Sequence, residues 1–134
     1  MLYLVDGNNV FGQRPGWHRD KEGAQLRLLN ELAALSAEGE HSFAVVFDGR
    51  PLAQVPDGTR YERVDVYYAR PGSIADDRIV EVLNDVKYKN ERDSITVVTS
   101  DRELVERVRL LDVRTIRSGE LRRMIEGYGK RHSG

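Results

Sequence analysis

Three short runs in this chain are apolar without interruption: Leu2-Tyr3-Leu4-Val5, Phe43-Ala44-Val45-Val46-Phe47 and Ile95-Thr96-Val97-Val98-Thr99. Each has strand length and lacks the polar alternate positions of a half-exposed strand, so each reads as a strand buried on both faces. The third is β-branched throughout and predicts a central strand. Helical periodicity fills the gaps between them. Residues 21–38 space Leu26, Leu29, Leu32, Ala33 and Leu35 as on a helix, with Gly39 as a stop. Residues 76–88 carry Ile79, Val80, Val82, Leu83 and Val86 on one broad face, and residues 101–111 carry Leu104, Val105, Val108 and Leu111. Residues 61–69, rich in Val and Tyr, predict a more exposed strand. Residues 113–116 predict a short strand and 120–128 a last helix. Residues 48–60 hold Pro51, Pro56 and Gly58 and read as a loop. Buried strands alternating with helices predict an α/β fold of three layers, α/β/α, around a parallel sheet.

The length of 134 residues suits one domain, taken as 1–128, with 129–134 as a short basic tail. No apolar run approaches the roughly 20 residues of a membrane span, and the first residues lack the basic region and cleavage site of a signal peptide. There is no cysteine, and the three histidines, His18, His41 and His132, are scattered. Disulfides, a thiolate nucleophile and a Cys/His zinc site are thereby excluded, and a cytoplasmic setting without a membrane partner is expected.

The acids carry the functional signal. Asp6 directly follows the first run and Asp48 the second, Asp76 and Asp77 open the helix after the third strand, and Asp101 follows the fourth. In a parallel sheet the strand C-termini share one edge, where ligands bind, so topology gathers these carboxylates around one crevice. Each also has a purely structural use: Asp76 and Asp77 favour a helix dipole, Ser100 to Glu103 fits a capping box with Ser100 as the cap, and the two Asp-Gly pairs suit turns. Those uses do not explain why every strand end carries an acid, nor what compensates Asp6, whose neighbours are Gly7, Asn8 and Asn9. Several carboxylates with Asn and Ser oxygens, and no His or Cys, indicate a hard ion, Mg²⁺ or Mn²⁺. Such an ion lowers the pKa of bound water and holds a phosphodiester; two ions, roughly 3.5–4 Å apart, would clamp the attacking and leaving oxygens.

The blocks Leu4-Val5-Asp6-Gly7-Asn8-Asn9-Val10, Val46-Phe47-Asp48-Gly49, Ala75-Asp76-Asp77-Arg78-Ile79 and Val98-Thr99-Ser100-Asp101-Arg102 resemble, in order, those of the YacP-like NYN domain family of PIN-like nucleases. The resemblance spans about residues 2–127. It implies a PIN-like, Rossmann-like fold with a central parallel sheet in order 3-2-1-4-5, and a metal-dependent endoribonuclease with RNA as its substrate. By that resemblance Asp6, Asp76, Asp77 and Asp101 are the catalytic acids and metal ligands, Asp48 is a further ligand or lies one shell out, and Ser100 orients Asp101 or the attacking water. Many members have Asp-Gly-Tyr-Asn in the first block; here Asn8 replaces the aromatic residue, so Asn9 takes the functional amide position and Asn8 shapes the turn.

Net charge is −1, but unevenly spread. Residues 1–113 hold 15 basic against 20 acidic side chains, whereas residues 114–134 hold six against two. Arg outnumbers Lys 17 to 4, and guanidinium groups suit phosphate oxygens. Arg14 and Trp17 in the loop after the first block, and Arg50, Arg70, Arg78 and Arg102 just past the strand ends, are the candidate RNA contacts. Tyr61, Tyr67 and Tyr68 on an edge strand could support a homodimer. Three other readings compete: a non-catalytic RNA-binding module, a receiver-like domain with an acidic pocket, and a phosphatase with Asp6 as nucleophile. The phosphatase would want a second acid where Asn8 stands, and the receiver a lysine where the last strand offers only Arg117. No Gly-x-Gly-x-x-Gly follows the first strand, which disfavours a dinucleotide site.

Overall fold

A computed structural model of the chain describes residues 1–132. Strand β1 (Leu2–Asp6) runs straight into a five-residue helix, α1 (Gly7–Phe11), and a short 3-10 turn at Trp17–Arg19 leads to α2 (Lys21–Ala37). After β2 (Ser42–Phe47) the chain forms a hairpin, β3 (Thr59–Tyr61) and β4 (Val64–Tyr68), then α3 (Ala75–Leu83) and α4 (Val86–Lys89). Strand β5 (Ile95–Val98), α5 (Arg102–Arg109), β6 (Arg114–Ile116) and α6 (Ser118–His132) complete the chain. Residues 129–132 of the expected tail continue α6, and 133 and 134 lie outside the described residues.

The sheet corrects one expectation. It is not a wholly parallel sheet in order 3-2-1-4-5; it is a mixed, six-stranded sheet in order β3-β4-β2-β1-β5-β6, with β3 antiparallel to β4. The additional strand lies partly in the segment expected to be a loop. Three residues, Thr59, Arg60 and Tyr61, carry neither an apolar run nor a usable alternation. The hairpin turn has positive φ at Glu62 and Arg63, a conformation normally announced by Asn-Gly or Asp-Gly. With β3 on the outside, β4 is no edge. Tyr68 is buried, Tyr67 shares a 2.9 Å hydrogen bond with Tyr88, and the Tyr61 hydroxyl donates to Asn30. All three tyrosines are thus engaged within the chain.

The uninterrupted runs follow from two cores. Val5, Phe43, Val45, Phe47 and Val98 point to one face, where Leu28, Leu29 and Leu32 of α2 and Leu121 and Ile125 of α6 cover them. Leu4, Ala44, Val46, Ile95 and Val97 point to the other, under Ile79, Val82 and Leu83 of α3 and Leu104 and Val108 of α5. Both faces of these strands are therefore covered by a helix layer over most of their length, and burying each Val or Leu contributes roughly 1.5–3 kcal/mol. Asp20 starts α2 by accepting from the Gly23 amide at 2.9 Å.

The parallel strands β4, β2, β1, β5 and β6 end along one edge. The Asp-Gly pairs there have a steric basis. A Cβ on Gly7 would lie 2.5 Å from the buried Phe47 ring, so only glycine lets α1 begin directly after Asp6. Gly49, with φ of 84°, turns the chain sharply after Asp48.

Candidate active site

Asp6 is the last residue of β1, only 5% exposed. Its Oδ2 accepts a 2.8 Å hydrogen bond from the Thr99 hydroxyl, whose oxygen in turn accepts from the Asp101 amide at 3.1 Å. Thr99 so couples the ends of β1 and β5. Burial pushes the Asp6 carboxyl up to about 7; the Thr99 hydrogen bond opposes the rise, and the charges of Asp76, Asp48 and Asp101 add to it. No basic side chain contributes.

The other acids meet this one from separate loops. Asp48 follows β2, and its Oδ1 accepts from the Ala75 amide at 2.8 Å. The residue before α3 is Ile74, which cannot cap a helix, and Asp48 supplies the acceptor from across the sheet edge. Asp101, not Ser100, is the cap of α5: its Oδ1 accepts from the amides of Glu103 (2.9 Å) and Leu104 (3.5 Å). The expected capping box is thus replaced by a simple Asp101 cap, since Leu104 stands where a reciprocating Glu would be needed, and Ser100 is left for another contact.

Asp76 and Asp77 are adjacent in sequence and differ in environment. Burial and then Asp101 raise the Asp76 carboxyl above the usual range; Arg107 opposes this, and Asp48 and Asp77 add to it. No hydrogen bond reaches its oxygens among the described residues. Asp77 is exposed, accepts from the Ser73 hydroxyl and from Arg107 Nη1, both at 2.8 Å, and is held below the usual range by these bonds. Asp6, Asp48, Asp76 and Asp101 therefore form one mutually repelling group, while Asp77 adds its charge to Asp76 and is itself held by Ser73 and Arg107, tying α3 to α5.

The two asparagines divide the task of holding the edge together. Asn8 Oδ1 accepts from the Asp48 amide at 3.0 Å. Asn9 Oδ1 accepts from the Ser100 amide at 2.9 Å and the Ser118 hydroxyl at 2.6 Å. Ser100 Oγ accepts from the Ser118 amide at 3.1 Å. Because β1 lies between β2 and β5, successive residues of α1 reach opposite neighbours. Asn8 does more than shape its own turn, and Ser100 braces α6, with no hydrogen bond to the Asp101 carboxylate among the described residues.

The expected arginine rim is divided too. Arg78 is 6% exposed, its Nη2 is 3.3 Å from Asp57 Oδ2 and its guanidinium lies over the Tyr67 ring. It is an internal tie, because its place on the first turn of α3 points it at β4, and its burial leaves it out of reach of an RNA strand. Arg70 is half-exposed and paired with Glu81. Arg50 and Arg102 are exposed and form no ion pair among the described residues. Arg14 is paired with Glu31 at 2.5 Å, and Trp17 packs on Phe11. Hollows flank the acids on both sides: about 460 Å³ beside Gly49, Arg50, Ala69 and Pro71, and about 670 Å³ beside Thr99, Ser100, Arg102 and Arg117. Thr99, Ser118 and Arg107 were not anticipated. Thr99 carried a signal, a hydroxyl closing an otherwise apolar strand beside Ser-Asp.

The donor chemistry of four carboxylates fits a hard cation. Among the described residues, however, no three His, Cys, Asp or Glu side chains converge in metal-holding geometry. One oxygen of Asp48 and one of Asp101 are committed to helix caps, and one of Asp6 to Thr99. The remaining oxygens are what a cation would have to draw together. Among the described residues no helix is long and apolar enough to cross a membrane.

Comparison with known proteins bears on the fold and family of the chain. No curated protein matches the chain. Two crystal structures of Rae1 (YacP) from Bacillus subtilis are similar to it. A single-substitution mutant is 25% identical with a TM-score of 0.77, covering 97% of this chain and 77% of that one. The other structure is 24% identical with a TM-score of 0.76, covering 98% and 76%. The model of the YacP-like NYN domain matches residues 3–133, nearly the whole chain. The chain therefore belongs to the YacP-like NYN domain family, of PIN-like ribonuclease type.

Proposed function

We propose that this protein is a metal-dependent endoribonuclease that hydrolyses RNA phosphodiesters at the Asp6–Asp48–Asp76–Asp101 group. One observation carries the reading. A buried strand-end aspartate is pushed up to about 7 beside three carboxylates from three other loops, and only Arg107, acting on Asp76, works against the crowding. A group so destabilised as an anion is what a site reserved for a cation looks like before the cation arrives. Asp6, Asp76 and Asp101 would hold Mg²⁺ or Mn²⁺, with Asp48 beside them. The ion supplies a lower pKa for the attacking water and charge neutralisation for the phosphodiester.

The chain's own residues do the rest. Thr99 keeps the Asp6 carboxylate in one orientation. Asp76 offers oxygens without a donor of their own, open to a cation or to a proton of the attacking water. Asn8 and Asn9 keep the loops of Asp48 and Ser100 at fixed positions on either side of Asp6. Arg50 and Arg102, one past each flanking strand, suit phosphates on either side of the scissile bond. Cytoplasmic RNA is the substrate class in this reading. The absence of a three-carboxylate cluster in the described arrangement favours one second reading, a non-catalytic RNA-binding module. The aspartyl phosphatase has no such support, since Asn8 occupies the position of its second acid and is bonded to Asp48.

Incubating the protein with single-stranded and structured RNA in Mn²⁺, Mg²⁺ or EDTA separates them. The nuclease reading expects cleavage with metal, none in EDTA, and at least a 100-fold loss in Asp6→Asn and Asp101→Asn. Binding without cleavage in every metal would leave the module instead.

A further inference from the structure

A second group of like charges lies on the α1, α2 and α6 side of the sheet. The loop after α1, the first turns of α2 and the start of α6 enclose a cavity of about 310 Å³. Arg14, Arg27 and Arg122 line it from three different elements, together with Trp17, Asp20 and Glu31. The two carboxylates do not match three guanidinium groups. Asp20 spends its Oδ1 on the Gly23 amide, and Glu31 is taken by Arg14. Arg14 Nη1 is still buried without a hydrogen-bond partner. Arg27 forms no ion pair among the described residues, and the Arg122 contact with Glu126 is a long one, 4.0 Å. Burial, and then the charge of Arg14, hold the Arg122 guanidinium below its usual range; Glu31 and Glu126 work against this and Arg27 with it. Buried donors without acceptors and cations without anions are both costly. A tetrahedral anion with several oxygens answers both, and guanidinium forks match it. The indole of Trp17 gives the same cavity an aromatic surface for a base.

The position of the cavity says which anion. Ser118, the first residue of α6, is hydrogen-bonded to Asn9 and Ser100 beside the acid group. Arg122 is four residues further, just over one helical turn or about 6 Å along the same helix. We propose that Arg14, Arg27 and Arg122 form an RNA phosphate subsite, which anchors the strand beside the acid group with a base against Trp17. The phosphate chemistry stands on the cavity, and the assignment to RNA rests on the ribonuclease reading above.

The test is equilibrium binding of a short fluorescent single-stranded RNA in EDTA, where no cleavage is needed, at several salt concentrations. Arg122→Gln and Arg27→Gln are each expected to weaken binding at least tenfold, and to lower the slope of log K against log salt by about 0.7, the value for one single-strand phosphate contact. Arg123→Gln removes the same charge from an exposed neighbour outside the cavity and should stay within twofold of the parent. Arg27 is exposed, so its variant keeps the test valid even if Arg122→Gln folds poorly. Comparing 5′-phosphorylated with 5′-hydroxyl RNA separates two sources of the phosphate: equal affinity assigns the subsite to an internal diester, and loss with the 5′-hydroxyl form assigns it to a terminal monoester. Parent-like binding by both cavity variants, or an equal loss in Arg123→Gln, would overturn the subsite. Arg122-dependent binding by a protein that cleaves nothing would keep the subsite and sink the nuclease.

Discussion

The molecule crowds like charges in two places and treats them differently. At the sheet edge, four carboxylates repel one another, and the most buried of them, Asp6, is pushed up to about 7. On the α1, α2 and α6 side, three guanidinium groups share one cavity. A carboxyl can escape crowding by keeping a proton, whereas a guanidinium stays charged across the physiological range. The acid group can therefore keep a proton on Asp6 near neutrality. The arginine group has no such exit, and it relies on Glu31, on solvent or on a bound anion. The first place is sensitive to pH and, under the proposed function, to a divalent cation; the second, as the proposed phosphate subsite, would respond to salt.

Loss of cleavage should break the symmetry most strongly. Asp76→Asn is expected to lower the rate of RNA cleavage at least 100-fold and Asp77→Asn less than tenfold, measured as initial rates in Mn²⁺. The difference arises because Asp76 faces the other acids, whereas Asp77 is bonded to Ser73 and Arg107. Equal losses would show that the two neighbours belong to one site.

The next effect is on stability and has a definite sign. Asp6 has a folded-state pKa of about 7 against 3.8 for an ordinary aspartate. Between those values the folded chain holds a proton that the unfolded chain has lost, so stability falls as pH rises from about 4 and the full penalty is present above 7. At about 1.4 kcal/mol per pKa unit this is at most about 4 kcal/mol. Asp6→Asn should therefore stabilise the EDTA-treated protein at pH 8 and leave it unchanged at pH 4, as followed by urea unfolding. Arg122→Gln should show no such pH dependence across this range.

Smaller effects separate packing from charge. Gly7→Ala would drive a methyl group into the buried Phe47 ring and should cost about 1–3 kcal/mol. Asp48→Ala removes the carboxylate that caps α3 and should cost about 1 kcal/mol at pH 4–5. Thermal unfolding reads both. At pH 8 in EDTA the Asp48→Ala cost should shrink, because the same substitution relieves Asp6 of one repelling charge.

The acid side was legible in the sequence because it lies at the ends of segments with strong signals. Asp6 and Asp48 directly follow a continuous apolar run and Asp101 follows one after Thr99 and Ser100, and topology then brings them to one edge. What those runs could not reveal was orientation: Asp76 and Asp77 are indistinguishable as letters, and only the Ser73 and Arg107 contacts separate them. Strand β3 escaped notice because three polar residues carry no periodicity, which altered both the strand count and the order of the sheet. Arg78 looked like a rim residue by its position after a strand end, yet it is buried against Asp57 and Tyr67. The arginine cavity was illegible as a unit. Arg14, Arg27 and Arg122 come from a loop and two helices, and no local pattern relates residue 27 to residue 122.

The central claim is that the carboxylate group is reserved for a divalent cation, and Mn²⁺ binding measured by calorimetry at pH 7.5 tests it without any RNA. The account predicts binding by the parent protein, its loss in Asp6→Asn and Asp76→Asn, and its retention in Asp77→Asn. A parent protein that takes up no Mn²⁺, or an Asp77→Asn variant as impaired as Asp76→Asn, would contradict it.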